Sequence, residues 1–184
     1  MEEAGISDDP PPVIVRVPAP GLLLREPAVL LASWFGAGLL PYAPGTWGAL
    51  AALPCAWIVA WVGGPAALTS GAVLVFAVGC FVAGRAAQSL GQKDPGWVVI
   101  DEVSAIWAVL GPLDFWVGPL DWRAYMAAFV FFRFFDILKP WPARLIERRV
   151  PGALGIMLDD LVASVYALPP LALLISEGII VVRP

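Results

Sequence analysis

Long uncharged apolar runs dominate the first half of the chain. From Pro27 to Gly84 the sequence contains no Asp, Glu, Lys or Arg, whereas one membrane-spanning helix needs only about 20 apolar residues. Gly63-Gly64-Pro65 is typical of a turn. The run therefore predicts two spans, at about Gly48 to Trp61 or Gly64 and at Ala66 to Gly84.

The apolar segment before the first predicted span, residues 27 to 45, is shorter. Pro41, Pro44 and Gly45 interrupt it after about 14 residues, because proline does not continue a helix interior. This length is more typical of a re-entrant or interfacial helix than of a full span.

Charged residues interrupt the apolar runs after Gly84 without ending the helical pattern. We predict three further helices, at Val98 to Leu113 with Asp101 and Glu102, at Ala124 to Leu138 with Arg133 and Asp136, and at Leu161 to Ser176 behind Asp159 and Asp160. The expected fold is all-α: a polytopic integral membrane helical bundle of about five transmembrane helices, plus a short re-entrant or interfacial N-terminal helix.

The chain is expected to have three parts, with the membrane domain at residues 27–176. Residues 1–26 are rich in acids and proline, a composition that predicts a disordered cytoplasmic tail. This tail opens with acids where a secretory leader has basic residues, so we do not interpret it as a cleaved leader. Residues 177–184 form a short C-terminal tail.

Composition supports the membrane interpretation and excludes several classes of function. The chain is 60% hydrophobic and 14% charged, whereas a soluble domain is about 25% charged. A net charge of -4 without a basic stripe argues against a nucleic-acid partner. The chain has no histidine, which disfavours Ser-His-Asp, Cys-His and phosphohistidine mechanisms. Cys55 and Cys80 lie within apolar runs and are expected to behave as small hydrophobes.

Threading five helices through a bilayer places most cationic residues on one side. That side receives residues 1–47, 85–100 and 139–158 together with the Arg133 end of the fourth span. Only Arg123 and Arg183, among 11 Lys and Arg residues, fall on the other side. The positive-inside rule makes the first side cytoplasmic. Tryptophans at predicted helix ends are expected to be interfacial anchors: Trp47, Trp61, Trp97, Trp116, Trp122 and Trp141.

The same threading brings most carboxylates of the membrane domain to the cytoplasmic side. Charges at membrane depth are costly and are functional candidates by default, and oxygen ligands without histidine suit Mg²⁺ first. Acids at helix N-termini also complement the helix dipole, which is the structural alternative. Because successive helical residues point in different directions, we expect one acid of each adjacent pair to bind metal. The candidates are Asp101, Glu102, Asp136, Asp159 and Asp160.

Three charged residues of the fourth helix suit a phosphate group. Arg133, Asp136 and Lys139 are spaced so that each is a neighbour of the next along one helical face. A metal-binding acid between two cations fits a bound phosphate. The alternative is an intramembrane Arg-Asp salt bridge with Lys139 reaching toward the interface.

Two glycine-flanked segments have two interpretations each. Residues 44 to 48, Pro-Gly-Thr-Trp-Gly, predict either an anion site at a helix N-terminus, with the Thr46 hydroxyl, or a simple N-cap at Thr46. Gly152 to Gly155 predicts a flexible connector or a loop beside the phosphate.

Together these motifs resemble phosphatidylglycerophosphatase A, a family of small bacterial inner-membrane enzymes. The matching segments keep the family's order and include the sequence Arg-x-x-Asp-x-x-Lys-Pro followed later by Gly-Ile-Met-x-Asp-Asp. They are Gly36 to Pro41, Ala43 to Gly48, Val99 to Glu102, Phe132 to Pro142, and Gly155 to Ala163.

The resemblance implies Mg²⁺-dependent removal of the terminal phosphate from phosphatidylglycerophosphate at the cytoplasmic face of the inner membrane. By matching position, Asp101, Glu102, Asp136, Asp159 and Asp160 are implied as the catalytic and metal-binding acids. Arg133, Lys139 and Thr46 are implied as phosphate contacts. Attack by a metal-activated water and attack by an Asp nucleophile both stay open; we favour water, because the Asp-x-Asp-x-[Thr/Val] pattern of haloacid-dehalogenase phosphatases is absent.

Several positions depart from the family pattern, and they concern loop geometry more than the acids. Ala49, Ala105, Glu147 and Ser164 replace Ser, Gly, Asp and Gly. Pro151 and Ala153 alter the His-Gly-Gly stretch before Gly155.

Three other functions are weighed against this prediction. A CDP-alcohol phosphotransferase also needs acids and a metal, but its Asp-x-x-Asp-Gly-x-x-Ala-Arg signature is absent. A small transporter predicts acids at the bilayer midplane and internal repeats. A non-catalytic membrane scaffold makes the charged cluster a salt-bridge network only.

Overall fold

The computed structural model describes residues 26–90 and 95–180, and within these ranges the fold is all-α. The all-α part of the predicted fold is thereby confirmed. The predicted tail, apart from Glu26, and the last four residues lie outside the described residues, as do Arg16, Arg25, Lys93 and Arg183. The elements are α1 (Pro27–Ala32), a 3-10 turn (Ala37–Leu39), α2 (Pro44–Leu90), α3 (Ile100–Val117), α4 (Trp122–Leu138), α5 (Ala143–Arg149) and α6 (Ala153–Ser176).

A break at Gly64 divides α2 into two helical halves, 44–63 and 65–90. Gly64 has a φ of 72° and a ψ of -176°, a conformation that glycine adopts without the penalty of a Cβ atom. Pro65 has no N–H and disfavours a helical conformation in the residue before it. The predicted turn at Gly63-Gly64-Pro65 is confirmed.

Helix α3 lies at the centre of the bundle, with 12 of its 18 residues buried. It packs mainly against α2 and α6, and α4 packs against α6. Small residues in the first half of α2, among them Ala49, Ala52 and Ala56, are fully buried. The indole Nε1 of Trp107 donates to the carbonyl of Ala52 at 3.1 Å, which joins the two helices.

The outer surface of the bundle is apolar, and among the described residues two helices are long and apolar enough to cross a membrane. These are Pro44–Ala86 and Ala153–Ser176. Large side chains such as Trp61, Phe81 and Phe115 are exposed on the surface, which is typical of contact with another apolar phase. Helices α3 and α4 are shorter, at 18 and 17 residues, and carry more charge. The two long helices indicate membrane association, whereas five crossings stay a prediction.

The N-terminal helix is shorter than the pattern predicts. Helix α1 has six residues, because the chain turns at Ser33, where the next two residues, Trp34 and Phe35, have positive φ values. The Ser33 hydroxyl accepts from the Gly36 N–H at 3.1 Å and so stabilises the turn. Val29 and Ala32 on α1 are buried in a cluster with Val82 and Ala83 of α2.

Two further predictions are wrong in detail. Trp97 is not an exposed anchor, because it is only 2% exposed and packs in the α1–α2 cluster; the other five tryptophans predicted as anchors are exposed. Helix α6 begins at Ala153, so Asp159 and Asp160 lie within it rather than before it. The short helix α5 was not predicted.

Candidate active site

The predicted site residues lie at one end of the bundle. Helices α2, α3 and α6 begin there, and α4 ends there. This arrangement follows from the antiparallel path of consecutive helices, in which every second terminus returns to the same end. Charged side chains from α3, α4, α5 and α6 contact one another at this end, which we call the acidic end.

Three carboxylates form the centre of the acidic end. One oxygen each from Asp101, Glu102 and Asp160 lies within 4.8 Å of the other two. Asp101 and Asp160 are buried, and the Glu102 side chain is 12% exposed. The structure brings both acids of the first pair into this group, because the longer Glu102 side chain spans the rotation of about 100° between successive helical residues. From the second pair, Asp160 belongs to this group. Which acids bind a metal stays a prediction.

Asp136 and Arg133 join this group from α4. The Asp136 carboxyl lies within hydrogen-bonding reach of Asp160 and accepts a hydrogen bond from Nη1 of Arg133. The same Nη1 is 3.8 Å from Oε1 of Glu102. The predicted contact between Arg133 and Asp136 along one helical face is confirmed, and the pair also links α4 to α3.

Lys139 and Asp159 form a second contact beside the acids. Lys139 ends α4 in a left-handed conformation with a φ of 45°, and its Nζ lies 2.8 Å from Oδ2 of Asp159 and 3.1 Å from Oε1 of Glu147. Partial burial lowers the pKa of Lys139, but the hydrogen bonds that it donates to these two carboxylates, together with their negative charge, raise the pKa above its ordinary value overall. Lys139 therefore stays cationic at neutral pH. Asp159 also accepts from the backbone N–H of Asp160.

Glu147 is a member of the acidic end that the sequence did not predict. It lies on α5, eight positions after Lys139 and beyond Pro140 and Pro142. The sequence marked this position only as a departure from a family pattern, and no helical spacing relates it to Lys139. The only feature of the sequence that pointed to this contact was that Glu147 is a charged residue close to Lys139 along the chain.

Two buried polar atoms of the acidic end have no hydrogen-bond partner among the described residues. They are Oε2 of Glu102 and Nε of Arg133. Leaving such groups unpaired costs about 1–3 kcal/mol each, and a ligand bound at this end would satisfy them. A carboxylate oxygen can coordinate a cation, and a guanidinium N–H can donate a hydrogen bond to an anion. Together these two atoms suit a metal ion beside a phosphate.

The three central carboxylates fit an oxygen-coordinated divalent ion. Ligand oxygens around Mg²⁺ lie about 3 Å apart when they are neighbours and about 4.2 Å apart when they are opposite, since the ion is octahedral with ligands at about 2.1 Å. Oxygens within 4.8 Å of one another need only a small movement to reach this spacing. The absence of Cys and His from this group suits Mg²⁺ rather than zinc.

The start of α2 packs closely against the acids, but Thr46 is not a helix cap. A Cβ atom added at Gly45 would lie 2.1 Å from Oε1 of Glu102 and 3.1 Å from Nη1 of Arg133, so only glycine fits there without displacing these groups. Helix α2 begins at Pro44, which places Thr46 within the first turn. The N-cap interpretation of Thr46 is therefore wrong. Its backbone N–H donates to Ala43 at 2.9 Å, so this N–H does not serve an anion. A phosphate contact from its half-buried side chain stays a prediction.

The segment from Gly152 to Gly155 is the start of α6 rather than a loop. Gly152 is the residue before the helix and has a φ of 73°. A Cβ atom at Gly155 would lie 2.1 Å from the carbonyl oxygen of Val150. These glycines therefore allow a tight turn between α5 and α6, which positions Asp159 and Asp160.

Comparison with known proteins identifies related chains over most of the sequence. A family model described as phosphatidylglycerophosphatase A matches residues 30–175. A Haemophilus influenzae protein named phosphatidylglycerophosphatase A is 37% identical over 150 residues, which cover 82% of this chain and 90% of that protein. An Escherichia coli protein of the same name is 39% identical over 147 residues, with 79% and 82% covered.

A third relative has a different name. A Bacteroides thetaiotaomicron protein, provisionally named a phosphatidylinositol-3-phosphatase, is 38% identical over 144 residues, which cover 76% of this chain and 87% of that protein. No solved structure matches the chain.

Proposed function

Because the chain belongs to the phosphatidylglycerophosphatase A family, we propose that it hydrolyses phosphatidylglycerophosphate to phosphatidylglycerol and inorganic phosphate with Mg²⁺. The observation that carries this proposal is the contact between two kinds of groups. Three carboxylates lie within 4.8 Å of one another, and the Arg133 guanidinium lies directly beside them. The carboxylates suit a divalent ion and the guanidinium suits a phosphate, and the two ligands would be close enough for a phosphate oxygen to bind the ion.

We assign the metal to the three central carboxylates, Asp101, Glu102 and Asp160, with Asp136 and Asp159 as neighbouring acids of the same catalytic set. When bound, Mg²⁺ polarises the phosphoryl group and lowers the pKa of a bound water. The unpartnered Oε2 of Glu102 supports this assignment. Asp136 holds Arg133 by a hydrogen bond, so its charge also orients the neighbouring cation.

Arg133 and Lys139 are proposed to bind the phosphate oxygens. Arg133 has an Nε that lacks a partner among the described residues, and a guanidinium donates to two oxygens in one plane. A lysine ammonium has three N–H bonds. In the described chain Asp159 and Glu147 are the carboxylates within salt-bridge distance of Lys139, which leaves one N–H for a phosphate oxygen. Thr46 is proposed as a further contact.

We propose direct attack by water rather than a phosphoenzyme. The water oxygen forms the new bond to phosphorus, the bond from phosphorus to the glycerol oxygen breaks, and an acid of the site takes the proton from the water. The glycerol oxygen leaves and takes up a proton from solvent, while the acid releases its proton to solvent, so the protons balance. A phosphoenzyme predicts an acyl phosphate on one of the acids, which acid quenching and mass spectrometry would detect.

We also propose that the protein spans the bacterial inner membrane five times with its acidic end facing the cytoplasm. The break at Gly64 supports two crossings by α2, and α3, α4 and α6 supply the others. Arg144, Arg148 and Arg149 lie on α5 beside the acidic end, in agreement with the positive-inside rule. Single cysteines at Arg148 and Glu177, in a chain lacking Cys55 and Cys80, should label from opposite sides with a membrane-impermeant maleimide.

Phosphate release by the purified protein tests the proposed function. We expect wild type to release phosphate from phosphatidylglycerophosphate with Mg²⁺, to lose this activity in EDTA, and to lose it in Asp159→Asn and Asp136→Asn. Phosphatidylinositol 3-phosphate is the matched second substrate, because one relative carries that name. Activity that survives EDTA would contradict the metal assignment, and preference for the inositol lipid would contradict the substrate.

A further inference from the structure

The short helix α5 brings Glu147 to Lys139. The two side chains form a salt bridge of 3.1 Å, and on its other side Lys139 contacts Asp159 of α6 at 2.8 Å. The Lys139 ammonium thus lies between two carboxylates from two different helices. Neither the acid group nor the phosphate contacts assigned above include Glu147.

The segment that carries Glu147 is fixed to its neighbours on both sides. Nη2 of Arg144 donates to the carbonyl of Leu138 at 3.0 Å, which ties α5 to the end of α4. The hydroxyl of Tyr166 donates to the carbonyl of Trp141 at 2.7 Å, which ties the preceding turn to α6. The position of Glu147 is therefore set by the fold.

Lys139 needs such a fixed partner more than Arg133 does. Its four-carbon side chain is flexible and its ammonium has no preferred plane, whereas Arg133 is held by its own helical neighbour Asp136. A single contact with Asp159 leaves the ammonium free to rotate about that contact. A second contact from a different direction, supplied by Glu147, restricts it.

We propose that Glu147 is a positioning residue that holds the Lys139 ammonium between α5 and α6, so that its remaining N–H faces the substrate phosphate. This inference rests on the proposed phosphatase function, in which Lys139 contacts the phosphate. Glu147 acts through Lys139 and touches neither the metal nor the lipid. The role belongs to the carboxylate charge, so aspartate, which keeps this charge on a shorter side chain, should preserve much of it.

A double-mutant cycle between Glu147 and Lys139 tests the proposal. We expect Glu147→Gln to lower kcat/KM about 10-fold in the wild-type background and less than about 2-fold in the Lys139→Gln background, since coupled residues give non-additive effects. Inhibition by inorganic phosphate should weaken in Glu147→Gln, and Glu147→Asp should recover most of the activity. Glu177→Gln, an exposed acid at the opposite end of α6, is the matched control and should leave both measurements unchanged.

The outcomes separate this inference from the proposed function. If wild type releases phosphate but the two losses multiply, Glu147 does not act through Lys139 and the inference is wrong, while the phosphatase stands. A lower melting temperature with unchanged kcat/KM would also overturn it, because that result describes a purely structural contact. If Glu147→Gln does not fold, the cycle is made with Glu147→Ala, which also removes the carboxylate. A wild-type protein without phosphatase activity overturns both proposals.

Discussion

The two ends of the bundle both contain buried acids, but these acids face different partners. At the end opposite the acidic end, Asp114 accepts from the backbone N–H of Leu120 at 3.0 Å. Asp121 there accepts from the backbone N–H groups of Arg123 and Ala124 at 2.9 and 3.0 Å and caps α4. At the acidic end, Asp101, Glu102 and Asp160 face one another.

This difference shows that burial alone does not identify a functional acid. Asp114 is 6% exposed and Asp101 is 8% exposed, so exposure does not distinguish them. The Asp114 carboxylate accepts a hydrogen bond from the backbone N–H of Leu120 and so stabilises the turn after α3. The acids of the central group gather negative charge in a small volume, which is costly unless a cation binds there. The groups that surround a carboxylate, rather than its exposed fraction, distinguish a structural acid from a functional one.

The largest expected effect comes from neutralising the centre of the acidic end. Asp160→Asn should lower phosphate release by about 1000-fold, because it removes a proposed metal ligand in the group that stabilises the transition state. Its melting temperature should stay the same or rise, since one buried like charge is removed. Asp114→Asn, at the opposite end, is the control and should keep activity within about 2-fold, because an amide oxygen still accepts the Leu120 N–H. Equal losses in the two variants would contradict the comparison.

A smaller effect is expected when the shape of a cation is changed and its charge is kept. Arg133→Lys should lower kcat/KM by about 10- to 100-fold, because lysine lacks the planar fork that binds two phosphate oxygens. Arg123→Lys at the opposite end should have no effect on kcat/KM. An unchanged kcat/KM in Arg133→Lys would mean that Arg133 contributes charge only.

The close packing of Gly45 against Glu102 and Arg133 gives a third test. Gly45→Ala should lower activity by about 10-fold, because the new methyl group displaces Glu102 and Arg133 and small misplacements of catalytic groups are costly. Gly96→Ala is the matched control, since a Cβ atom there meets nothing within 4 Å. Full activity in Gly45→Ala would show that the Glu102 position is not important for catalysis.

Local patterns in the sequence were sufficient to locate the four long helices and one contact within a helix. The break at Gly64 follows from residue type, and the contact of Arg133 with Asp136 follows from helical spacing. The gathering of acids at one end follows from counting crossings. These features depend on a few neighbouring residues or on the alternation of chain direction, both of which can be read from the sequence.

Features that depend on tertiary packing could not be predicted. Trp97 fits an interfacial anchor by position, but α1 folds over it and buries it. Helix α5 is too short and too charged to give an apolar pattern, so its contact from Glu147 to Lys139 was missed. The sequence also could not tell that both Asp101 and Glu102 but only Asp160 of the second pair join the central group, because this depends on side-chain length and on the rotation of α3 and α6.

The smallest effect on activity is expected from the helix cap at the opposite end. Asp121→Ala should lower the free energy of unfolding by about 1 kcal/mol, since it removes the acceptor for two N–H groups of the first turn of α4. Phosphate release per folded molecule should stay within about 2-fold. Thermal unfolding in detergent and the phosphate assay measure the two quantities. A large loss of activity without a loss of stability would assign function to this end as well.

Binding of Mn²⁺, followed by electron paramagnetic resonance and displaced by Mg²⁺, tests the central assignment most directly. Wild type and Asp114→Asn should bind the ion with the same affinity, and Asp160→Asn should bind it at least about 10-fold more weakly, because it loses a ligand oxygen from the three-carboxylate group. Equal Mn²⁺ affinity in wild type and Asp160→Asn would contradict the assignment of a divalent ion to the acidic end.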